Sequence, residues 1–396
     1  MAGHGNEQPG KAKRSGSDRR TVVRWGGAGL LAALGARYDL SAVGMPATAA
    51  PAGRTRFGVN CYDLYANAFS STRPADPLAR LRRLRDAGIT LVRFSASPFW
   101  ASDWTRFLAD RPRFLGYLDQ LFDAADALDI RLIPTVIWAP FGLSDRLQEP
   151  YSAWGDPQSV TRRFFDRYVR EIVGRYRQRR SLLIWECANE MNSYVDLPGG
   201  ERFFPPVRIA NATPARRGAA DRISAEAVQS TYQAFVELVR RTGDTHPISS
   251  GSDTPRFNQL AGARGRFDAD DRPSLEQALA ESLAGGANVL SIHLYATTLR
   301  NRGTALVNSA ADLLSVARRV ASANQAQLLI GEFGVPRSPI EPVDRAAFAA
   351  MLAAIRESGA DYAALWNYDF AVQREWNVTF DNDRAWMLDA LVAANA

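Results

Sequence analysis

Two runs hold residues that can do chemistry together. The run 182–188 is apolar enough for a buried strand, yet it ends on Asn189-Glu190. A second, 328–332, closes in Gly331-Glu332-Phe333-Gly334. A carboxylate at the end of a buried segment must find partners or face a cavity, because burying it unpaired is costly. Asn-Glu as a dipeptide carries no meaning alone, since Asn6-Glu7 repeats it in a polar leader. Two glutamates facing one another suit cleavage of a glycosidic bond. One carboxyl, kept protonated, helps the leaving oxygen depart. The other, ionised, attacks the anomeric carbon, and a separation of about 5–5.5 Å gives net retention. The bland alternative makes each glutamate a helix cap or an arginine partner; matched positions at two strand ends weigh against it for the pair.

The elements that must position them are eight β-type runs, 57–60, 90–95, 131–138, 182–188, 247–250, 289–293, 328–332 and 362–366. They are rich in Val, Ile, Leu and aromatics without clean alternation, as expected of parallel strands covered on both faces. Helical signals lie between them. Asp76-Pro77 reads as an N-cap with proline at N1, Leu78, Leu81 and Leu84 share a face, and Gly88 closes the helix. Phe164, Tyr168, Ile172 and Tyr176 recur at i, i+4, and Phe348, Met351, Leu352 and Ile355 form a similar face. The alternation predicts an α/β fold, a (β/α)8 TIM barrel in one catalytic domain over 50–396. A doubly wound sheet would show a glycine-rich turn after its first strand, and Val59-Asn60-Cys61-Tyr62-Asp63 has none. Barrel sites form at the C-terminal ends of strands. Those ends supply Arg93, Asn189, Glu190, His293, Tyr295, Glu332 and Trp366.

Residues 1–49 read as a separate export signal. Arg19-Arg20 sits in a twin-arginine pattern, an apolar stretch runs from Trp25 to Ala36, and Ala47-Thr48-Ala49 offers a small-residue cleavage site. A basic tail with an anchor helix is the alternative, but the stretch is short of the roughly 20 residues that span a bilayer. The expected location is therefore secreted or cell-envelope, with no stable membrane span after removal of the signal. The leader holds seven Lys/Arg and three acids, so the formal charge of +6 falls to +2 without it. Arginines such as Arg80, Arg82, Arg83 and Arg85 are spread over a helix face, which predicts a solvated face and no nucleic-acid partner. No lysine follows Lys13, so the mature domain cannot form a lysine Schiff base. Only His246 and His293 follow the leader, at no ligand-like spacing, so neither metal nor cofactor is expected. Cys61 and Cys187 fall in predicted buried strands and read better as free core thiols than as a disulfide. A monomer is expected.

Trp185-Glu186-Cys187-Ala188-Asn189-Glu190 and Ile330-Gly331-Glu332-Phe333-Gly334 resemble two strands of glycoside hydrolase family 5, in the clan A superfamily. The first run looks closest to that of the family's β-mannanases. The resemblance extends over the whole mature chain, because Arg93, His293-Leu294-Tyr295 and Trp366 also fall where the family places them. It implies a retaining β-glycoside hydrolase of EC 3.2.1 type, acting on an oligo- or polysaccharide of β-mannan or β-glucan type. Glu190 resembles the acid/base and Glu332 the nucleophile. The resemblance further implies that Asn189 bonds the sugar 2-hydroxyl, Arg93 holds Glu332 ionised, and Tyr295 donates to Glu332. His293 would contact Glu190 or the leaving sugar, and Trp366 would floor the subsite. Glu186 is expected to point the other way along its strand, as a structural ion-pair partner.

Two departures stand out. Met191 occupies the place of a frequent proline after the acid/base, and Val136-Ile137-Trp138 replaces a frequent histidine, so Trp138 either stacks on the sugar or is packed. Loop aromatics (Trp100, Trp104, Tyr151, Trp154, Phe203, Phe204, Trp376) are candidates for sugar stacking or for packing. The insertion 191–223 is long enough to wall the cleft, which would favour exo over endo action. A catalytically silent glycan-binding barrel and an exo-acting or glycoconjugate β-glycosidase are the alternatives.

Overall fold

The eight apolar runs become eight strands in the computed structural model, which describes residues 55–70, 76–205, 212–266, 268–295 and 309–396. The export signal expected over 1–49 lies outside the described residues. The strands are β1 Arg56–Asn60, β2 Leu91–Ser95, β3 Arg131–Ile137, β4 Trp185–Ala188, β5 Ile248–Ser249, β6 Val289–Tyr295, β7 Gln327–Gly334 and β8 Tyr362–Leu365. All pair in parallel and in chain order, and β1 closes on β8. This is the expected (β/α)8 barrel. β4 starts three residues later than predicted, with Leu182 held only by an isolated bridge to Leu132. The helix Trp386–Asn395 packs back on β1, where the Asn395 amide exchanges hydrogen bonds of 2.9 Å with the Phe57 backbone.

The barrel interior is layered. Leu91, Ile133, Ile184, Val289 and Leu329 form an apolar cluster of their own, separate from the main core. Side chains two residues apart on a strand share a face. Arg93, Thr135, Glu186 and Ser291 therefore stand directly above four of these residues, and none has any exposed surface. β7 breaks the period. Ile292 pairs with Ile330 but His293 with Glu332, so Gly331 is the extra residue of a bulge. Straight alternation from Leu329 would turn Glu332 outward. Instead Phe333 faces out, against Phe57 and against Phe348 of the helix Glu341–Glu357, and Glu332 faces in.

Helix signals hold with two adjustments. The helix Pro77–Asp86 begins with Asp76 accepting from the Leu78 N–H at 2.9 Å, and Gly88 follows it at φ 87°. Arg82, Arg83 and Arg85 are exposed there, but Arg80 is buried and donates to Asp63 at 2.8 Å and to the Asp369 carbonyl at 3.0 Å. The solvated arginine face is thus correct for three of the four. In the helix Val160–Tyr176, Phe165 rather than Phe164 joins Tyr168, Ile172 and Tyr176 in the core. Cys61 and Cys187 are buried free thiols. Among the described residues, no helix is long and apolar enough to cross a membrane.

Candidate active site

Arg93 sits at the hub of the upper layer. Its Nε donates to Glu186 Oε1 at 2.8 Å, and its Nη1 to Asn60 Oδ1 at 2.8 Å and Glu332 Oε1 at 3.0 Å. Nη2 donates to Asn189 Oδ1 at 2.6 Å. Burial works to discharge this guanidinium, but Glu186 and Glu332 offset it and hold its pKa above the usual arginine range. Thr135 donates to the same Glu186 oxygen at 2.6 Å. Asn60 is itself fixed by donating to the Gly331 and Ala364 carbonyls at 2.9 and 3.0 Å. Glu186 is an ion-pair partner as expected, but it does not point the other way. It lies two residues beyond Ile184, so the strand period turns it into the barrel with Arg93.

Glu190 leaves β4 in the left-handed region, at φ 52°, which costs a residue with a Cβ roughly 1–2 kcal/mol. Its N–H donates to the Gly251 carbonyl at 2.9 Å. Gly251, at φ 75°, approaches so closely that a Cβ there would lie 2.0 Å from the Ala188 carbonyl oxygen. The turn then continues into Asn192, whose amide exchanges hydrogen bonds of 2.8 and 2.9 Å with the Asp253 backbone. His293 Nδ1 lies 2.7 Å from Glu190 Oε1 and 3.7 Å from Glu332 Oε2. Tyr295 donates to Glu332 Oε2 at 2.6 Å. Carboxylate oxygens of Glu190 and Glu332 and a His293 ring nitrogen lie within 4.8 Å of one another.

The two carboxyls have different surroundings. Glu332 has no exposed side-chain surface and takes a guanidinium and a phenol, whereas Glu190 keeps 13 % of its side chain exposed and meets only His293. Burial pushes Glu190 up to about 7, against Arg93 and aided by Glu186. Burial also raises Glu332, opposed by His293, Arg93 and the Tyr295 hydrogen bond. Burial lowers His293 below the usual histidine value. Two carboxyls this close do not readily ionise together, and a shared proton settles on Glu190, which has no guanidinium bonded to it. Among the described residues this trio is also the one cluster able to surround a metal ion. Glu332 already accepts from Tyr295 and Arg93, and Glu190 Oε1 shares a hydrogen bond with His293 Nδ1.

Aromatic rings cover the hub. Trp138 lies over the Arg93 guanidinium at 4.6 Å and stacks on Trp366, with centroids 5.9 Å apart and planes 20° apart. Tyr62 packs against both, 4.9 Å from Trp138 and 6.2 Å from Trp366. Trp366 Nε1 donates to Gln373 Oε1 at 2.6 Å, and the Trp366–Asn367 peptide is cis. All eight candidates thus form one connected network. The loop aromatics mostly do not join it: Trp100, Trp104, Tyr151, Trp154 and Phe204 are buried packing residues, while Phe203 and Trp376 keep part of their surface. Sequence reasoning missed Asn60, Tyr62 and Gln373. Asn60 had a signal, being a polar residue at the C-terminal end of the first strand.

A family model, Cellulase (glycosyl hydrolase family 5), matches residues 78–371. The chain belongs to glycosyl hydrolase family 5. It is therefore a glycosidase of EC 3.2.1 type, and its substrate is a carbohydrate. No curated protein matches it. Among solved structures, this family 5 hydrolase is similar to an endo-β-1,4-mannanase from Thermotoga petrophila at TM-score 0.60 and 13 % identity, covering 87 % of this chain and 78 % of that one. An exo-β-1,4-mannosidase from Opitutaceae bacterium strain TAV5 matches at TM-score 0.56 and 17 % identity, covering 87 % and 59 %. A triple variant of an endo-β-1,4-glucanase from Xanthomonas axonopodis pv. citri matches at 0.53 and 14 %, covering 86 % and 99 %. Likeness at such identities establishes the barrel, and mannan-type and glucan-type activities both occur among these neighbours.

Proposed function

We propose that the chain is a retaining β-glycosidase for a β-mannan or β-glucan type glycan, with Glu190 as acid/base and Glu332 as nucleophile. The observation that carries this is the pair of carboxylates within 4.8 Å in unlike surroundings. That spacing fits a covalent mechanism, since inversion needs about 6.5–9.5 Å to admit a water between the carboxyls. Glu332, held by Arg93 and Tyr295, attacks the anomeric carbon while Glu190 gives its proton to the departing oxygen. Water then attacks the glycosyl-enzyme, Glu190 takes a proton from it, and Glu332 leaves. Asn189 presents its oxygen to Arg93, so its Nδ2 is left to donate to the sugar 2-hydroxyl. Trp366 and Trp138 floor the subsite as a stacked pair. A mechanism-based 2-fluoro sugar tests the assignment: peptide mapping should place the label on Glu332, and label on another residue, or no label with full activity in Glu332→Gln, overturns it.

Exo action on short chains is a second reading, favoured by one feature. Arg217 in the insertion after β4 is bolted to Asp145 of the helix Pro140–Arg146 by paired hydrogen bonds of 2.6 and 2.8 Å, both side chains buried. Phe204 packs on Tyr151 at 4.6 Å beside it. A wall fixed in this way supports a blocked cleft. Release of one sugar at a time from a manno- or gluco-oligosaccharide ladder separates this from endo cleavage. The twin-arginine pattern supports export, and retention of the precursor inside cells on changing Arg19-Arg20 to lysines is its test.

A further inference from the structure

The barrel wall has a window behind the Glu190–His293 pair. β5 pairs with β6 only at Ser249↔Val289. Beyond that point the two strands part, and Ser291, two residues past Val289, lines a small recess reaching the helix Ala225–Arg241. The recess also meets Ser252, Tyr232 and Asn192. Its hydroxyls are linked, Tyr232 to Ser252 at 3.2 Å and Ser252 to Ser250 at 2.9 Å. Two buried atoms have no hydrogen-bond partner among the protein groups, Ser291 Oγ on the recess wall and His293 Nε2 next to it along β6. Both abut Gly331: a Cβ there would lie 3.0 Å from each. Buried polar atoms are satisfied by protein or by ordered water, and hydroxyls at the edge of a recess supply the two to four partners a bound water needs.

We infer that Ser291 is a positioning residue for Glu190, acting through His293: its hydroxyl holds a water that donates to His293 Nε2 and so fixes the imidazole tautomer. This rests on the glycosidase reading of the site. With Nε2 as acceptor, the ring proton lies on Nδ1 and is donated to Glu190 Oε1 across the 2.7 Å contact. The acid proton of Glu190 then belongs on Oε2, free to reach the leaving oxygen. In the other tautomer Nδ1 is bare and draws the Glu190 proton onto Oε1, away from the substrate. The charged groups around the imidazole are Glu190 and Glu186 from β4 and its end, Glu332 from β7, Arg93 from β2 and Asp253 from the turn after β5. None of them bonds Nε2, so the tautomer is decided on the recess side.

Ser291→Thr and Ser291→Val are nearly equal in size and differ in the hydroxyl. The expected result is near wild-type behaviour for Thr. Val should lose about tenfold in kcat on aryl β-glycosides with poor leaving groups, part of the roughly 100- to 10,000-fold that acid assistance gives. A dinitrophenyl glycoside, which needs no acid, should lose less than about twofold. Independently of turnover, 15N signals of the imidazoles read the tautomer, and the chain has only three histidines to assign. Wild type and Thr should show a hydrogen-bonded, unprotonated Nε2, and Val an altered one. A protonated Nε2 in wild type, or Thr and Val variants alike in spectrum and in kcat, overturns the inference. Full activity in Glu190→Gln would instead sink the underlying reading, and the 15N comparison stands without it.

Discussion

Leu91, Ile133, Ile184, Val289 and Leu329 fill the lower barrel with methyl groups, and two residues further along the same strands Arg93, Thr135, Glu186 and Ser291 fill the next layer with ions and hydroxyls. Both layers are fully buried, so burial alone does not separate them. The lower layer contributes stability directly, about 25 cal/mol for each Å² of apolar surface removed from water. The upper layer, with Glu332 against it, must first desolvate one guanidinium and two carboxylates, a cost that pairing often only cancels. Every Arg93 bond described above is therefore needed to keep the layer near neutral cost. What the layer gains is a fixed position for Glu332 and Asn189.

Substitutions can break that contrast. The largest effect is expected at Glu332, where Glu332→Gln should lower kcat by about 10⁴-fold or more, as loss of a nucleophile does, with circular dichroism unchanged. Arg93→Met should come next in consequence for folding, losing about 3–5 kcal/mol because Glu186 and Glu332 stay buried without their cation. Urea unfolding measures it, and adding Glu186→Leu should return part of the loss, making the upper layer more like the lower. Ile184→Ala should cost about 2–5 kcal/mol by cavity formation and leave kcat within about twofold, a result that separates the layers by function.

The smallest effect concerns pH. Glu190 is raised from 4.5 to about 7, so between those values the folded chain holds a proton that the unfolded chain has released. Stability therefore falls as pH rises through that window, and activity falls as pH rises through about 7, where the acid is lost. Glu190→Gln should show a flatter stability profile over the same range. An unchanged slope in urea midpoints would contradict it.

The barrel was legible because parallel strands announce themselves as apolar runs and their polar ends line up at one rim. Arg93, Glu190 and Glu332 were found that way. The ring around Arg93 was not, because Asn60, Thr135 and Glu186 reach it from three different strands and no local spacing links them. Trp104 and Trp154 stay open in the sequence between sugar stacking and packing, and only tertiary structure shows them buried.

The bulge at Gly331 acts on the barrel as a reading frame acts on a message. A strand offers two alternating texts, one addressed to the inside and one to the helices, and Leu329 begins in the inner one. The bulge skips one residue of the message, so that Phe333 is read by the helices and Glu332 by the cleft. Straightening the strand with Gly331 kept in the alternation would deliver the carboxylate to the helices and the ring to the cleft, whereas deleting Gly331 would leave both facing as they do. The facing of Glu332 is thus set by how the strand accommodates a residue with no side chain.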